Sequence, residues 1–297
     1  MSRAQVDWHG VYAVIVTPFT QAGELDEAGY RQVVEFVIEA GCHGVISAGS
    51  TGEFYLMDDE ERGRVFDIAV DQAAGRVPVI GCPAAMRTEH VAALTRRAAD
   101  AGCAGVMCLT PLYISLSDQE IKEYYRRISS EGGLPIMLYN SPKLVNNNLP
   151  ASLVAELMEN DNVVAIKDTT WDLYTTMALV RECGPELRVF VGLEDLFLPA
   201  LSVGAKGAVA MMPQVVGRMT RDLYDAALNG ERDRAQALHE KMIRAYDIFK
   251  VGSAYIGIKE AMNLLGRPGG HSRPPMLPYT DDQKQQLRAI LTDLELL

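Results

Sequence analysis

Histidine is scarce in this 297-residue chain: the five present, His9, His43, His90, His239 and His271, share no H-x-H or H-x-x-x-H spacing. Metal centres are commonly built on such pairs, so no metal site is expected and a metal-dependent reaction has little to rest on. Cysteine is sparse too. Cys42, Cys82, Cys103, Cys108 and Cys183 are an odd number without a C-x-x-C pair, which argues against a zinc knuckle and against a disulfide framework. Small buried thiols in a reducing cytoplasm are the expected outcome. Basic residues fall short, 28 Lys and Arg against 39 Asp and Glu for a net charge of −11, and so acidic a chain lacks the cations that neutralise phosphates. No nucleic-acid partner is therefore expected, and an anionic ligand must find local positive charge. No apolar window is long enough to span a bilayer, and the opening MSRAQVDWHG has no h-region; no membrane partner is expected, and a cytoplasmic location is. The fingerprint G-x-G-x-x-G is absent as well, which counts against a dinucleotide-binding open sheet. No cofactor is expected.

What is present is a large apolar complement, 48% of residues, enough for a single barrel-sized core. Eight short, nearly continuous apolar runs stand at 11–16, 44–47, 77–81, 105–109, 135–139, 163–167, 188–191 and 207–210, the pattern of strands buried on both faces. Between them amphipathic stretches predict helices at 26–40, 58–73, 89–101, 118–130, 150–159 and 175–181; in the first, Tyr30, Val33, Val34, Val37 and Ile38 recur at helical spacing. One phrase repeats: Glu39-Ala-Gly-Cys-His-Gly-Val45, Asp100-Ala-Gly-Cys-Ala-Gly-Val106 and Ser202-Val-Gly-Ala-Lys-Gly-Ala-Val209. Its first glycine suits a helix C-terminus and its second introduces a strand. Pro78 and Pro135 are expected as first residues of their strands, where a missing N–H is tolerated. Eightfold alternation predicts an α/β fold, a (β/α)₈ TIM barrel over residues 1–219. Further helices at 220–229, 231–249, 253–265 and 281–296, the last two separated by the Pro/Gly-rich stretch 266–278, form a C-terminal helical extension over 220–297.

In such barrels the reacting groups sit at the C-terminal ends of the strands. Three endings carry polar residues: Gly49-Ser-Thr-Gly-Glu53 after the second strand, Tyr139-Asn-Ser-Pro142 at the fifth and Ile166-Lys-Asp-Thr169 at the sixth. Lys167 follows the apolar Val163-Val-Ala-Ile166 and is placed to enter the barrel mouth. Burial disfavours the ammonium, and a neutral lysine amine attacks a 2-oxo acid to form an iminium. Position alone leaves a second reading open, a side chain snorkelling to the rim or pairing with Asp168. Tyr139 ends the neighbouring strand at the same level, where a phenol can carry protons, although strand-terminal tyrosines also serve as packing. Ser50 and Thr51, bracketed by glycines, offer hydroxyls and backbone N–H groups to a carboxylate; with Glu53 they equally fit a helix-capping segment.

With Val14-Ile-Val-Thr-Pro-Phe19, Gly49-Ser-Thr-Gly-Glu53, Thr110-Pro-Leu-Tyr113, Tyr139-Asn-x-Pro142, Ile166-Lys167 and Gly207-Ala-Val209 in order along nearly the whole chain, the sequence resembles the dihydrodipicolinate synthase / N-acetylneuraminate lyase (DapA-like) superfamily of class I Schiff-base lyases. The resemblance implies a metal-independent lyase acting on pyruvate or another 2-oxo acid. It implies Lys167 as the Schiff-base lysine, Tyr139 as the central proton-relay tyrosine, and Ser50 and Thr51 as the pair that contacts the substrate carboxylate and links the relay. Tyr113 matches the tyrosine that reaches across a subunit interface, and a homotetramer follows by the same analogy. Val209 falls where a backbone carbonyl lines the site, Gly192 falls on a substrate-facing loop, and Thr169 is a further substrate contact beside Lys167.

Departures from the family pattern carry the specificity. Leu144 stands where dihydrodipicolinate synthases hold a carboxylate-gripping arginine, which disfavours 4-hydroxy-tetrahydrodipicolinate synthase activity. Leucine there is similar to N-acetylneuraminate lyases and sugar-acid aldolases, and Glu194-Asp195 is similar to the acidic pair that holds polyol hydroxyls in them. Met211 replaces a serine that contacts a long glycerol-like tail; Met107, Met212 and Trp171 imply an apolar outer pocket, or are core filler. The expected reaction is retro-aldol release of pyruvate from a short 2-oxo-3-deoxy sugar acid or related 2-oxo-4-hydroxy acid. The alternatives are loss of water or ammonia from a hydroxylated 2-oxo acid or cyclic imine, and a non-catalytic barrel that binds a 2-oxo acid.

Overall fold

Valine and isoleucine recur in the apolar runs, and each run becomes one strand of a closed parallel barrel. The structure, a computed structural model, describes residues 6–297. Its strands are β1 (Gly10–Val14), β2 (Gly44–Ser47), β3 (Val79–Gly81), β4 (Gly105–Leu109), β5 (Ile136–Asn140), β6 (Val163–Asp168), β7 (Arg188–Val191) and β8 (Gly207–Ala210). Their order around the barrel is their order in the chain, and β8 closes onto β1 with Val11 opposite Ala208. The fold class expected from the sequence, a (β/α)₈ TIM barrel, is the fold observed. Every strand residue except Arg188 is buried, as strands between a filled interior and a helical ring must be.

The ring and its extension comprise α1 (Glu27–Glu39), α2 (Asp59–Ala73), α3 (Thr88–Asp100), α4 (Asp118–Gly132), α5 (Ala151–Leu157), α6 (Leu173–Cys183), α7 (Phe197–Ser202), α8 (Pro213–Val216), α9 (Met219–Leu228), α10 (Arg232–Ala245), α11 (Ile248–Val251), α12 (Ala254–Leu264) and α13 (Asp281–Asp293). Periodicity does not announce α7 and α8, which are six and four residues long, under two turns of helix. The segment expected as one helix over 231–249 is interrupted at Tyr246-Asp247 between α10 and α11.

The repeated phrase works as the spacing implies. Gly41, Gly102 and Gly204 leave their helices at φ of 83°, 89° and 104°, a region open to glycine. The second glycine has a packing reason: a Cβ on Gly207 would lie 1.9 Å from the Gly10 carbonyl oxygen. Pro78 and Pro135 sit one residue ahead of β3 and β5 instead of being their first residues. Each still joins the ladder through its carbonyl, which accepts from Val45 N at 3.0 Å and from Val106 N at 2.9 Å, the half of the pairing that proline retains.

Candidate active site

The C-terminal ends of the strands open into a cavity of about 510 Å³. Ser50, Thr51, Tyr139, Lys167, Thr169 and Gly192 line its inner part, and Leu144, Trp171, Met211, Ile243 and Phe249 also line it. Strand register brings the first two chemical groups together: Tyr139 on β5 pairs with Lys167 on β6, and Lys167 Nζ lies 4.1 Å from the centre of the Tyr139 ring. Lys167 is 5% exposed, so it does not snorkel to the rim. Nor does it pair with Asp168, whose carboxylate accepts from Thr176 Oγ1 at 2.7 Å and Thr170 N at 3.2 Å. Burial without a contacting carboxylate holds the Lys167 pKa down at about 8.

Burial likewise pushes the Tyr139 phenol up to about 12, against the pull of nearby Ser141, Thr169 and Ser50 hydroxyls. Ser141 Oγ and Thr169 Oγ1 have no hydrogen-bond partner among the described residues although both are buried. Such atoms are costly unless a ligand or ordered water completes them. Space for the lysine is set by Gly192, where a Cβ would lie 2.0 Å from Thr169 Oγ1 and 2.7 Å from Lys167 Cε.

The Ser50-Thr51 turn is strained and anchored. Ala48 and Glu53 flank it at φ of 54° and 56°, a left-handed region that non-glycine residues occupy mainly where surrounding structure compels them. Glu53 is fully buried and pairs with Lys259 of α12, itself 1% exposed. The Lys259 ammonium also donates to the His271 carbonyl at 2.9 Å and lies 4.7 Å from the centre of the Phe19 ring. Thr17 Oγ1 donates to the Gly52 carbonyl at 2.7 Å. Neither Ser50 nor Thr51 caps α2; Asp58 does, in a capping box with Glu61. The helix-capping reading of the turn therefore lapses.

Similarity to known proteins places the whole chain in one family. The family model for the dihydrodipicolinate synthetase family matches residues 7–294. A DapA-like lyase of Rhizobium meliloti is 35% identical over 99% of this chain and 98% of that protein. A 4-hydroxy-tetrahydrodipicolinate synthase of Methanothrix thermoacetophila is 34% identical over 97% of both. Among solved structures, YagE, a prophage protein of the dihydrodipicolinic acid synthase family from E. coli K12 in complex with pyruvate, superposes with a TM-score of 0.95 at 28% identity, covering 98% of this chain and all of that one. This chain belongs to the dihydrodipicolinate synthetase family.

Other residues singled out from the sequence fall on either side of this family member's cavity. Thr169, Gly192, Leu144 and Met211 line it; Val209 does not, being fully buried in β8, and Met107 and Met212 are core. Tyr113 is 85% exposed at φ 73° and is not among the residues that line its own chain's cavity. Its loop is tied down: Asn146 Nδ2 donates to the Tyr113 carbonyl at 2.7 Å, and Asn147 Nδ2 to the carbonyls of Ile114 and Pro111. Glu194 is fully buried and engaged internally. Its carboxylate accepts from Met211 N at 2.6 Å, Met212 N at 2.7 Å and the Tyr246 phenol, and the same phenol accepts from Glu194 N. Burial raises the Glu194 pKa against those hydrogen bonds.

Residues of the dihydrodipicolinate synthetase fold that sequence reasoning missed come from its C-terminal helices. Ile243 of α10, Phe249 and Lys250 of α11 and Tyr255 of α12 line the cavity, with Tyr246 and Asp247 between the helices. Tyr255 approaches Ser50 and Tyr139, and burial pushes its phenol up to about 12. No spacing within α10–α12 distinguishes these side chains from ordinary helix packing.

Proposed function

We propose that this chain is a class I lyase in which Lys167 forms an iminium with the C2 carbonyl of a 2-oxo acid, and that it releases pyruvate by retro-aldol cleavage of a 2-oxo-4-hydroxy acid. One observation carries the reading: Lys167 is buried beside Tyr139, with its pKa held at about 8, so an appreciable fraction is the neutral nucleophile near neutral pH. The pyruvate complex of the similar YagE supports it.

The steps balance without a redox partner. The Lys167 amine adds to C2, and the carbonyl oxygen departs as water with one proton from the amine and one from Tyr139. The C3–C4 bonding electrons then enter the iminium while the 4-hydroxyl gives its proton to the Tyr139 phenolate and leaves as an aldehyde. Tyr139 protonates C3 of the resulting enamine. Water hydrolyses the iminium, freeing pyruvate and the amine and returning a proton to Tyr139.

In this reading Ser50 and Thr51 hold the substrate carboxylate and Thr51 links the relay. Thr169 and Gly192, both in the cavity wall, line the substrate, and no cofactor or metal takes part. Leu144 supplies no guanidinium for a second carboxylate, which disfavours 4-hydroxy-tetrahydrodipicolinate synthase activity. Tyr113 completes the relay of a neighbouring subunit in a homotetramer; its exposure and its fastened loop support this. A cytoplasmic location fits five free, buried cysteines, and among the described residues no helix is long and apolar enough to cross a membrane.

Borohydride reduction in the presence of pyruvate tests the central step. A stable adduct on Lys167 and loss of activity are expected; no adduct, or one on Lys143 or Lys206 instead, overturns the assignment. With a panel of 2-oxo-4-hydroxy acids, pyruvate release is expected, and a longer 2-oxo acid product would reassign the reaction to loss of water or ammonia.

A further inference from the structure

The outer part of the cavity has a chemistry of its own. Leu144, Trp171, Met211, Ile243 and Phe249 converge there from the loops after β5, β6 and β8 and from α10 and α11. Three of them are large apolar side chains left exposed, Leu144 at 51%, Trp171 at 47% and Ile243 at 46%. Apolar surface gathered around a concave opening marks a binding face more than scattered exposure does.

Trp171 stands out further because its backbone is left-handed, at φ 60°. A bulky residue in that region is a true outlier, and such outliers concentrate where a site dictates side-chain placement. The indole is also fastened from the other loop, with Lys143 Nζ 4.1 Å from its ring centre. One face of the ring thus carries a lysine, and the residue lines the same cavity as Lys167.

Polar partners for a substrate tail are few. Among the described residues no arginine lines the cavity, and its cations are Lys167 and Lys250, the latter paired with Asp247 at 2.5 Å. Glu194 is spent on Met211 N, Met212 N and Tyr246. Asp195 lines the cavity with one buried oxygen that has no hydrogen-bond partner among the described residues. The outer wall therefore offers a chain of hydroxyls one unpartnered carboxylate oxygen, and the cations near it are engaged, Lys250 with Asp247 and Lys143 with the Trp171 ring.

We propose that the outer cavity, walled by Trp171 and Leu144, binds a hydrophobic group, so that the carbonyl partner released or condensed at Lys167 is an alkyl, alicyclic or aryl aldehyde instead of a polyol or an acid. The proposal rests on the Schiff-base reading for its reaction, but the binding face is testable without it.

The chain has two tryptophans, Trp8 and Trp171, and Trp8 is 6% exposed in the core, so emission changes at the mouth report Trp171. Titrating wild-type protein with cyclohexanecarboxaldehyde should give a saturable blue shift that D-glyceraldehyde does not give and that Trp171→Phe abolishes. In the condensation direction with pyruvate, kcat/KM should favour cyclohexanecarboxaldehyde over both D-glyceraldehyde and aspartate semialdehyde by at least about tenfold, the discrimination that a methylene or two in an apolar pocket gives. Trp171→Gly, which relieves the backbone, should cut that ratio about tenfold or more; a ratio is insensitive to the fraction of folded enzyme. Absence of the saturable shift, equal or better use of glyceraldehyde or the semialdehyde, or an unchanged ratio in Trp171→Gly would overturn the proposal. If wild-type protein shows the shift but borohydride traps no pyruvate, the lyase reading fails and the hydrophobic site stands.

Discussion

At the residue scale the proposed reaction turns on the state of one amine. Burial holds Lys167 at a pKa of about 8, so below that value the neutral fraction falls about tenfold per pH unit. The rate of pyruvate trapping by borohydride should therefore rise close to tenfold between pH 6 and 7 and flatten above pH 8. A flat profile between pH 6 and 7, or a rise continuing beyond pH 10, would show that the amine is not perturbed in this way. Gly192 is the second residue on which the site turns. A Cβ there meets Thr169 Oγ1 at 2.0 Å and Lys167 Cε at 2.7 Å, so Gly192→Ala must displace the lysine. Since misplacing a reacting group by about 1 Å costs on the order of 10²-fold, trapping should slow by roughly that factor. Thermal melting of the variant separates this from unfolding, and a folded Gly192→Ala that traps pyruvate at the wild-type rate would refute the argument.

At the element scale α12 holds the cavity-lining Ser50-Thr51 turn in place. Lys259 of α12 and Glu53 of the β2 turn are both buried and satisfy each other. Removing one partner of such a pair leaves an uncompensated charge, typically about 3–5 kcal/mol, whereas replacing both with apolar or neutral groups is far milder. Lys259→Met is thus expected to destabilise the protein strongly and Glu53→Gln/Lys259→Met to recover much of the loss, as read by urea unfolding. Equal midpoints for the single and double variants would show that the pair does not anchor the turn. These helices also mark where reading the chain ran out. Their amphipathic period is plain, but the interruption at Tyr246-Asp247, which sets Tyr246 against Glu194, has no proline or glycine to announce it. The short α7 and α8 escaped for a related reason, since a period cannot be seen in a segment shorter than two turns. The eight strands were legible because burial on both faces leaves a continuous apolar run that little else in the chain imitates.

At the scale of the whole molecule the chain presents Tyr113 outward, 85% exposed on a loop pinned by Asn146 and Asn147. If the phenol serves a neighbour, Tyr113→Phe and Lys167→Ala homomers are each nearly inactive. Hybrids co-assembled from both chains should regain part of the wild-type rate, because some sites then combine an intact lysine with an intact tyrosine. Inactive hybrids confirmed by mass, or a fully active monomer, would assign Tyr113 to packing.

The sequence by itself determined the barrel, its strand order and the placing of Lys167, Tyr139 and the Ser50-Thr51 turn at strand ends, because these follow from local periodicity and from the position of polar residues at the close of apolar runs. Only the tertiary structure decided which groups are free to act. Asp168 lies next to Lys167 in sequence, yet it bonds Thr170 and Thr176; Glu194 is bound internally; and Trp171, Ile243, Phe249 and Tyr255 meet in one cavity from elements far apart in the chain. The physical reason is that hydrogen-bond partners and burial are properties of three-dimensional neighbours, which a one-dimensional pattern of apolar and polar residues does not encode.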